Sequence, residues 1–450
     1  MVTVQLPNGP KTHPWLQTLE WMRDPLGYME SCAQEYGDFF TLRIGPLFTP
    51  QVFISNPQAI QEIFATDPQQ LESGESAGIK SPLLGAQSMV SLEVKPHQRQ
   101  RKLLLPPFHG ERMRTYGQVI REITIQITEK WRPDEPFSLL PSMQAISFDV
   151  ILRTVFGLEK GERYDRITNL LIEIMNPKQP FLQILTFLFP IFQQDWGDWS
   201  PWGHFLRLKQ QIDEAINAEI AERRVNFDPN RTDILSMMVA AQDEQGKPMT
   251  DQEIRDELIT LLVAGHETTA TSLSWALYWI HRSPMVQEKL LKELAEVQID
   301  NDPNNFTKLP YLNAVCQETL RIYPVAMLAF NRLVKSPLTI QGYEFEPGTL
   351  LVPCIYLTHH REDLYPNSKE FKPERFLERQ YSPSEFLPFG GGNRRCIGLA
   401  FALFEMKIVL ATILMQWKLG LGSSKPVTPI RRGALLGPSE GVKMIVISNQ

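Results

Sequence analysis

The chain is short of cysteine, and its cysteines are not spaced to share a metal ion. Its 450 residues include Cys32, Cys316, Cys354 and Cys396, and no two of these form a C-x-x-C pair. Such spacing provides neither a disulfide framework nor a zinc site, and it is typical of a reducing compartment. We therefore predict a cytoplasmic protein.

Long apolar runs and targeting signals are also missing. The N-terminal stretch MVTVQLPNGP lacks the pattern of a signal peptide. Nowhere do about 18 apolar residues follow one another, so we predict no transmembrane anchor. The most apolar stretch, residues 181–192, is shorter and is interrupted by Pro190. It is either a buried helix or lid, or an entrance that makes weak contact with a membrane surface or guides an apolar substrate.

The composition excludes further classes of protein. A formal net charge of −6 argues against nucleic acid as a partner. A hydrophobic content of 43% and a charged content of 21% are ordinary for a globular protein with a large core. No G-x-G-x-x-G or other nicotinamide or flavin fingerprint is visible. Any electrons that the protein uses must therefore come from separate proteins.

The residue patterns predict a mainly α protein with a smaller β-rich region. Strand patterns occur near residues 37–56, 330–357 and 427–448, the last as a hairpin around Gly433 to Gly441. The longest predicted helix begins after Thr250, which forms a capping-box pattern with Glu253. No proline follows until Pro284, which allows about 33 helical residues.

The centre of this long helix is apolar except for the run Ala-Gly-His-Glu-Thr-Thr at residues 264–269. Leu261, Ala264 and Thr268 fall on one face of the helix, and His266 does not share it, so we do not predict His266 as a ligand. A buried carboxyl at Glu267 is costly unless it has a partner or a task. From the residues alone, Glu267 could pair with a distant lysine while the threonines bond back to the helix.

A glycine-rich loop near the C-terminus carries the last cysteine. It reads FGGGNRRCIG over residues 389–398 and precedes an apolar run from Leu399 to Trp417. The glycines allow a tight turn and a close approach to a bulky, flat ligand. The start of the following helix should favour a thiolate at Cys396. A lone cysteine is most often inert core, but an axial thiolate on a loop is also one way of holding haem iron.

The spacing of this loop points to one family. Phe389, Gly392, Arg394, Cys396 and Gly398 form the pattern F-x-x-G-x-R-x-C-x-G. The stretch closely resembles the haem-binding loop of the cytochrome P450 family of haem-thiolate monooxygenases, and it is similar to soluble bacterial members, cyanobacterial ones among them. The resemblance implies that Cys396 is the proximal iron ligand, that Arg394 contacts a haem propionate, and that Phe389 packs near the sulfur, with Gly398 in the same cofactor loop.

Basic residues elsewhere extend the resemblance. His97 and Arg101 are four apart and share a helix face; alone they would be an ordinary basic surface. In the family, this H-x-x-x-R pattern binds propionates, so the resemblance implies that role for both residues. Arg332 matches a position that often contacts a propionate, although this correspondence is weaker.

The long helix resembles the family's oxygen-binding helix. The resemblance implies that Thr268 stabilises iron-bound dioxygen and that Glu267 relays protons. Leu261 and Ala264 would line the haem pocket on the substrate side. The substrate would also meet Leu328, Ala329 and Phe330, and Leu435 and Leu436 are further candidates.

A fourth motif concerns stability rather than chemistry. Glu318 and Arg321 form an E-x-x-R pair in a predicted helix, and such pairs are worth little on a surface. In the family the pair is buried and joined by the arginine of a P-E-R-F segment, here Arg375. The resemblance implies a buried network of Glu318, Arg321 and Arg375 that braces the cysteine loop.

Together these motifs imply one domain over residues 1–450, with haem b between the long helix and the helix after the cysteine loop. The implied activity inserts one oxygen atom from O2 into a hydrophobic substrate. A fatty acid or alkane is ranked first, and a terpenoid, retinoid or steroid second. The electron donor would be a ferredoxin or flavodoxin with its reductase, docking where Arg394 and Arg395 add positive charge, and the protein would be a monomer.

Two other classes stay open at this point. One is a haem-thiolate enzyme that uses peroxide or rearranges its substrate without a reductase, and the intact Glu267–Thr268 pair argues against it. The other is a non-enzymatic haem or lipid-binding protein. Steady NADPH consumption with redox partners and a substrate would separate a monooxygenase from both.

Overall fold

The fold was analysed in a computed structural model, which describes residues 6–45, 48–74, 83–108, 110, 112–175, 193–198, 200–297, 302–433 and 435–448. The apolar stretch 181–192, for which two interpretations were left open, lies outside these ranges. Within them the chain is mostly helical with small sheets, as predicted.

The described helices, numbered in chain order, are α1 Pro14–Arg23, α2 Pro25–Tyr36, α3 Pro57–Ala65, α4 Val94–Leu104, α5 Arg112–Thr128, α6 Leu139–Thr154, α7 Glu162–Met175, α8 Pro201–Val225, α9 Ile234–Ala240, α10 Asp251–Arg282, α11 Pro284–Ala295, α12 Pro310–Ile322, α13 Ile355–His359, α14 Arg375–Glu378 and α15 Leu399–Gln416. Proline begins several of them, where its missing N–H has no intrahelical partner to lose.

The described strands are β1 Phe39–Arg43, β2 Pro50–Ile54, β3 Leu71–Glu72, β4 Phe137–Ser138, β5 Arg332–Val334, β6 Leu338–Ile340, β7 Tyr343–Phe345, β8 Leu350–Pro353, β9 Leu419–Leu421, β10 Pro429–Arg432, β11 Leu435–Pro438 and β12 Lys443–Val446. One sheet has the order β1-β2-β8-β5-β3, in which β2 and β8 run parallel. Three smaller sheets contain β4-β12-β9, β6-β7 and β10-β11.

Helix α10 crosses the largest hydrophobic cluster and packs against α6 and α15. It begins with the predicted capping box: the Thr250 N–H donates to Glu253 Oε2 at 2.7 Å, and the Glu253 N–H donates to Thr250 Oγ1 at 3.2 Å. The helix has 32 residues, close to the predicted length. The Ala264–Thr269 run therefore lies in the middle of a long helix whose neighbours include α6 and α15.

The sheet that contains β1 and β2 is buried on both faces. Alternate residues of each strand enter different clusters: Phe40 and Phe53 pack with α1 and α2, whereas Val52 and Ile54 pack with α3. This period of two is the expected behaviour of a pleated strand. The sheet positions α3 next to the glycines of the cysteine loop.

The predicted C-terminal hairpin is only partly right. The hairpin observed is the shorter pair β10 and β11, turning at Gly433 with φ of +64°. Strand β12 does not join it and pairs instead with β9 and β4. The reason is tertiary, because β4 belongs to a segment some 300 residues earlier, as the Met444–Phe137 pairing shows.

One described helix, α15, is long and apolar enough to cross a membrane by length and composition. Of this helix, 61% is buried inside the protein. Its buried residues join the same cluster as α10, which is how the core helix of a globular domain behaves.

Candidate functional site

The cysteine loop is closed by hydrogen bonds within its own backbone. The Cys396 N–H donates to the Phe389 carbonyl at 2.9 Å, and the Gly390 N–H donates to the Leu387 carbonyl at 2.9 Å. Gly390 and Gly392 have φ of +64° and +63°, in the left-handed region that glycine adopts without strain. The loop therefore delivers Cys396 to a fixed position just before α15.

The middle glycines have a further reason, which the sequence did not indicate. A side chain at Gly391 would clash with the ring of Phe64, and one at Gly392 would lie 2.9 Å from the Phe64 carbonyl oxygen. Phe64 is in α3. The close approach that excludes a side chain is thus to a protein element, and the glycines let the loop pass against α3.

Cys396 is the one cysteine of the four whose side chain is exposed. Protein atoms nevertheless surround it densely, and burial raises the pKa of its thiol. The backbone N–H groups of Gly398 and Leu399 and the charges of Arg101 and Arg395 act in the opposite direction. The start of the helix thus favours a thiolate, as expected, but burial outweighs it. A coordinated metal ion would remove this proton, since a coordinating thiol is deprotonated outright.

Four basic side chains converge near this loop. His97 and Arg101 extend from α4, Arg332 begins β5, and Arg394 belongs to the loop itself. Burial and the charges of Arg394, Arg101 and Arg332 lower the pKa of His97 to about 3. Burial and the charge of Arg394 lower the pKa of Arg332 to about 9. The arginines therefore lie close enough for their charges to repel one another and to keep His97 neutral near pH 7.

The guanidinium groups are held mainly by oxygens of the backbone. Arg332 donates to the carbonyls of Phe330 at 2.7 Å and Gly391 at 3.1 Å, and to Ser73 Oγ at 2.8 Å. Arg394 donates to the carbonyl of Met89 at 2.9 Å and to those of Leu92 and Ser73. Burial lowers the pKa of Arg394 to about 10, although Glu93 and Glu72 partly compensate.

This cluster has the donors that a dianionic ligand requires. His97 Nδ1 and Arg394 Nε are buried and have no hydrogen-bond partner. Buried cations that repel one another are costly unless an anion pairs with them. Two carboxylates beside a flat ring system, as in the propionates of haem, would supply that charge and accept those hydrogen bonds. The residues present therefore fit haem.

The middle of α10 has one face that is less buried than the others. Ala264 is exposed, and Leu261, Glu267 and Thr268 are partly buried, whereas their neighbours Leu262, Thr269 and Ala270 are buried. The Thr268 hydroxyl donates to the Ala264 carbonyl at 2.5 Å, which is the back-bonding that sequence left open as a structural role. Leu261, Ala264 and Thr268 thus share a less buried face, and the Thr268 hydroxyl is bonded to the backbone of its own helix.

Glu267 has a partner that the sequence did not indicate. Its Oε1 accepts a hydrogen bond at 2.6 Å from Gln144 Nε2 in α6, rather than from a lysine. His266 is buried on another side of the helix, with its ring 5.3 Å from that of Phe148. His266 thus lies away from the less buried face that carries Ala264 and Thr268.

The candidate substrate residues do not share one environment. Phe330 is exposed, and Leu328 packs against the cluster formed by α1, α2 and β1–β2. Ala329 is buried in the cluster around α3, and a side chain at Gly390 would lie 3.9 Å from its Cβ, which places Ala329 beside the cysteine loop. Leu436 is buried in the same cluster that Leu328 contacts.

The E-x-x-R pair and Arg375 lie together in the core. Arg321 Nε and Nη2 donate to the two carboxylate oxygens of Glu318 at 2.7 and 2.8 Å, and Arg375 Nε donates to Glu318 Oε1 at 3.3 Å. Glu318 and Arg321 are fully buried. Spare donors of Arg321 reach the carbonyls of His359 at 2.8 Å and Glu370 at 3.2 Å.

A histidine that sequence analysis missed connects this network to the cysteine loop. Arg321 holds the backbone of His359, and His359 Nε2 accepts the N–H of Leu387 at 3.0 Å. Leu387 comes just before the loop that carries Cys396. Burial lowers the pKa of His359 well below its usual value, so the ring stays neutral and can accept. No local sequence pattern distinguishes His359 from its neighbour His360.

Three features together define a haem-thiolate protein: a cysteine at the start of a core helix, basic side chains close to that cysteine, and a long core helix that carries an acid–alcohol pair. Comparison with known proteins agrees. A family model described as "Cytochrome P450" matches residues 7–446. The chain belongs to the cytochrome P450 family, whose members bind haem and act as haem-thiolate monooxygenases.

Individual relatives match over almost their whole length. The protein provisionally named cytochrome P450 135B1 of Mycobacterium tuberculosis is 35% identical over 445 residues, covering 98% of this chain and 91% of that one. Provisionally named cytochrome P450 138 of Mycobacterium bovis is 32% identical over 449 residues, covering 98% and 96%. A retinoic acid-bound cyanobacterial CYP120A1 structure has a similar fold, with a TM-score of 0.83, 24% identity and coverage of 99% and 100%.

Proposed function

We propose that this protein is a cytoplasmic, monomeric, single-domain monooxygenase that binds haem b and oxidises a long apolar substrate, a fatty acid or alkane first. The observation that carries the proposal is the cluster of buried His97, Arg332 and Arg394 with partly buried Arg101, beside an accessible Cys396. Such a cluster suits a flat dianion whose metal faces the cysteine.

Each residue has a task in binding. Cys396 would hold the iron, and the basic cluster would hold the propionates, with His97 Nδ1 and Arg394 Nε as free donors. When bound, haem supplies the activation of O2 and the transfer of one oxygen atom to the substrate. Phe389, whose carbonyl already binds the Cys396 N–H, would shield the sulfur from water.

Proton delivery would depend on Glu267 and Thr268. Glu267 is held by Gln144 at 2.6 Å, so its carboxyl has a fixed orientation at the partly buried face of α10. Thr268 would have to release the Ala264 carbonyl to present its hydroxyl to a ligand, which one rotation of χ1 achieves. Its hydroxyl would then hold the proton that Glu267 passes inward.

The substrate class follows from the apolar residues at the site. Leu261 and Ala264 on α10, and Ala329 beside the cysteine loop, would present hydrocarbon to a substrate. A long hydrocarbon chain matches such a lining. Terpenoids, retinoids and steroids form the second class, and a retinoid is the ligand named for the structural neighbour CYP120A1.

Electrons would come from a ferredoxin or flavodoxin with its reductase. Arg101 and Arg395 are near enough to Cys396 to lower the pKa of its thiol, and Arg395 is exposed. An acidic donor would therefore meet positive charge beside the cysteine, even though the whole chain carries −6.

A ligand screen followed by turnover tests this function. Fatty acids, alkanes, terpenoids, retinoids and steroids are added to the ferric protein, and the Soret shift identifies binders. The best binder is then incubated with NADPH, ferredoxin and reductase, or with hydrogen peroxide alone. Product that requires NADPH and O2 supports the proposal; product with peroxide only, or binding without product, would replace it with one of the two other classes.

A further inference from the structure

A second carboxyl on α10, that of Glu257, has no role in the site described so far. Its side chain is fully buried. Oε1 accepts hydrogen bonds from the backbone N–H of Met89 and from Gln100 Nε2, the latter at 2.7 Å. Oε2 is also buried but has no partner. A buried polar atom without a partner is costly, so the position of this carboxyl must be stabilised by its other contacts.

Glu257 is one of three residues of α10, with Asp256 and Thr260, whose side chains hold residues 87–89 by polar contacts, here called the polar seam. The Gln87 N–H donates to Asp256 Oδ2 at 2.9 Å, and Ser88 Oγ bonds to Thr260 Oγ1 at 2.7 Å. The Leu92 N–H closes a turn onto the Ser88 carbonyl at 3.0 Å. The segment is therefore fastened to α10 from Gln87 to Met89, and Leu92 is tied back to Ser88.

The same short segment holds a cofactor-binding arginine. Arg394 Nη1 donates to the Met89 carbonyl at 2.9 Å, and Arg394 Nη2 donates to the Leu92 carbonyl. The backbone of Met89 thus forms two hydrogen bonds: its N–H donates to Glu257, and its carbonyl accepts from Arg394. Gln100, the other partner of Glu257, lies on α4 between His97 and Arg101 and also donates to the Gln87 carbonyl at 2.8 Å.

We propose that Glu257 is a positioning residue for haem: by holding Met89, it fixes the carbonyls that orient Arg394 towards a propionate. The inference rests on the proposed function only in assigning Arg394 to a propionate. The proposal assigns a role to Glu257, a buried acid that is far in sequence from both the 87–92 segment and the cysteine loop.

The protonation state of Glu257 decides which substitution is mild. Burial raises the pKa of its carboxyl to about 8, although the bonds from Met89 and Gln100 lower it. The side chain is therefore mostly neutral at pH 7. Glutamine keeps its shape and its accepting oxygen, whereas leucine keeps the volume but leaves the Met89 N–H unpaired and removes one of the two hydrogen bonds of the Gln100 amide.

The test measures haem retention by the ferric holoprotein. The rate of haem transfer to excess apomyoglobin is compared for wild type, Glu257→Gln, Glu257→Leu and the control Tyr116→Phe. Tyr116 donates to the Thr232 carbonyl at 2.8 Å, so the control also loses one largely buried hydrogen bond but does not touch residues 87–92. We expect transfer about tenfold faster for Glu257→Leu, which corresponds to one lost buried interaction, and about unchanged rates for the other two.

A double-mutant cycle with Arg394→Lys separates positioning from general loosening of the fold. If Glu257 acts through Arg394, Glu257→Leu should add little to the rate of haem transfer once Arg394→Lys is present. Fully additive effects, or an unchanged rate in Glu257→Leu alone, would overturn the proposal. If Glu257→Leu does not fold with haem, Glu257→Asp replaces it, because the shorter side chain withdraws the same carboxyl from Met89.

Amide exchange gives an independent readout on the same holoproteins. The Met89 N–H should exchange slowly in wild type and Glu257→Gln, and faster in Glu257→Leu or Glu257→Asp. Equal protection in all four would contradict the proposal. A wild-type protein that binds no haem would instead contradict the proposed function, so the two failures can be told apart.

Discussion

Arg321→Ala tests whether the Glu318 network is a structural element of the core. The substitution removes both hydrogen bonds to the Glu318 carboxylate and those to the carbonyls of His359 and Glu370. Arg375 remains, but its Nε contacts one oxygen of Glu318 at 3.3 Å. Glu318 would be left as a poorly paired charge with no exposure to water. Breaking a buried pair in this way costs about 3–5 kcal/mol.

That loss is a large part of the free energy of unfolding of a typical domain, which is about 5–15 kcal/mol. We expect Arg321→Ala to give a low yield of holoprotein and a strongly reduced denaturation midpoint in urea. The damage should include haem retention, because Arg321 also holds His359, whose ring binds the Leu387 N–H before the cysteine loop.

The matched control is Arg207→Ala. Arg207 donates to both oxygens of Asp195, at 2.8 and 3.0 Å, so it has the same chemistry as Arg321 but lies on the surface. Its removal should shift the midpoint far less, because water and salt screen exposed pairs. Equal shifts for the two variants, or a wild-type yield and midpoint for Arg321→Ala, would refute the argument from burial.

Three further predictions concern the site and the core. Thr268→Ala should keep haem and substrate binding but lower the ratio of product to NADPH oxidised and raise hydrogen peroxide; an unchanged ratio would leave Thr268 with only its bond to the Ala264 carbonyl. His359→Gln should retain more haem than His359→Leu, because the amide oxygen can accept the Leu387 N–H, and equal retention would exclude this link. Burial raises the pKa of Glu405 to about 8 from 4.5, so its contribution to stability is complete below pH 4.5 and is lost as the pH rises towards 8. The free energy of unfolding of the wild type should therefore fall over this window, and Glu405→Gln should reduce that fall by a few kcal/mol. Parallel curves of unfolding free energy against pH for the two proteins would contradict the shift.

Local signals in the sequence were enough to predict the elements that carry the site. The capping box at Thr250 and the absence of proline before Pro284 define the long helix, because both act within a few residues along the chain. The glycines before Cys396 indicate a tight loop for the same reason. The expected grouping of Glu318, Arg321 and Arg375 came from a resemblance, and the structure brings these residues into contact.

The rest depends on contacts between distant segments, which no local pattern reveals. The clash that demands glycine at positions 391 and 392 comes from Phe64, and the partner of Glu267 is Gln144. Strand β12 is not part of the expected hairpin because it pairs with β4 and β9 instead. The pKa of Cys396 depends on the number of atoms that the fold packs around it.

The same limit applies to the polar seam on α10. Asp256 and Glu257 look like ordinary charges near the start of a long helix when the sequence is read alone. Their bonds to Gln87 and Met89 join residues 169 and 168 positions apart. Only the fold shows that they are buried and that they face a segment bound to Arg394.

The most direct test of the whole account is the reduced carbon-monoxide spectrum of wild type and Cys396→Ser. We predict that the wild type shows the red-shifted Soret band of thiolate-ligated haem, because Cys396 is the accessible cysteine between α15 and the basic cluster. Cys396→Ser should fold but lose that band, with little haem bound or with haem lacking thiolate character. A wild type without the red-shifted band, or a Cys396→Ser variant that keeps it, would contradict the assignment of Cys396 as the iron ligand.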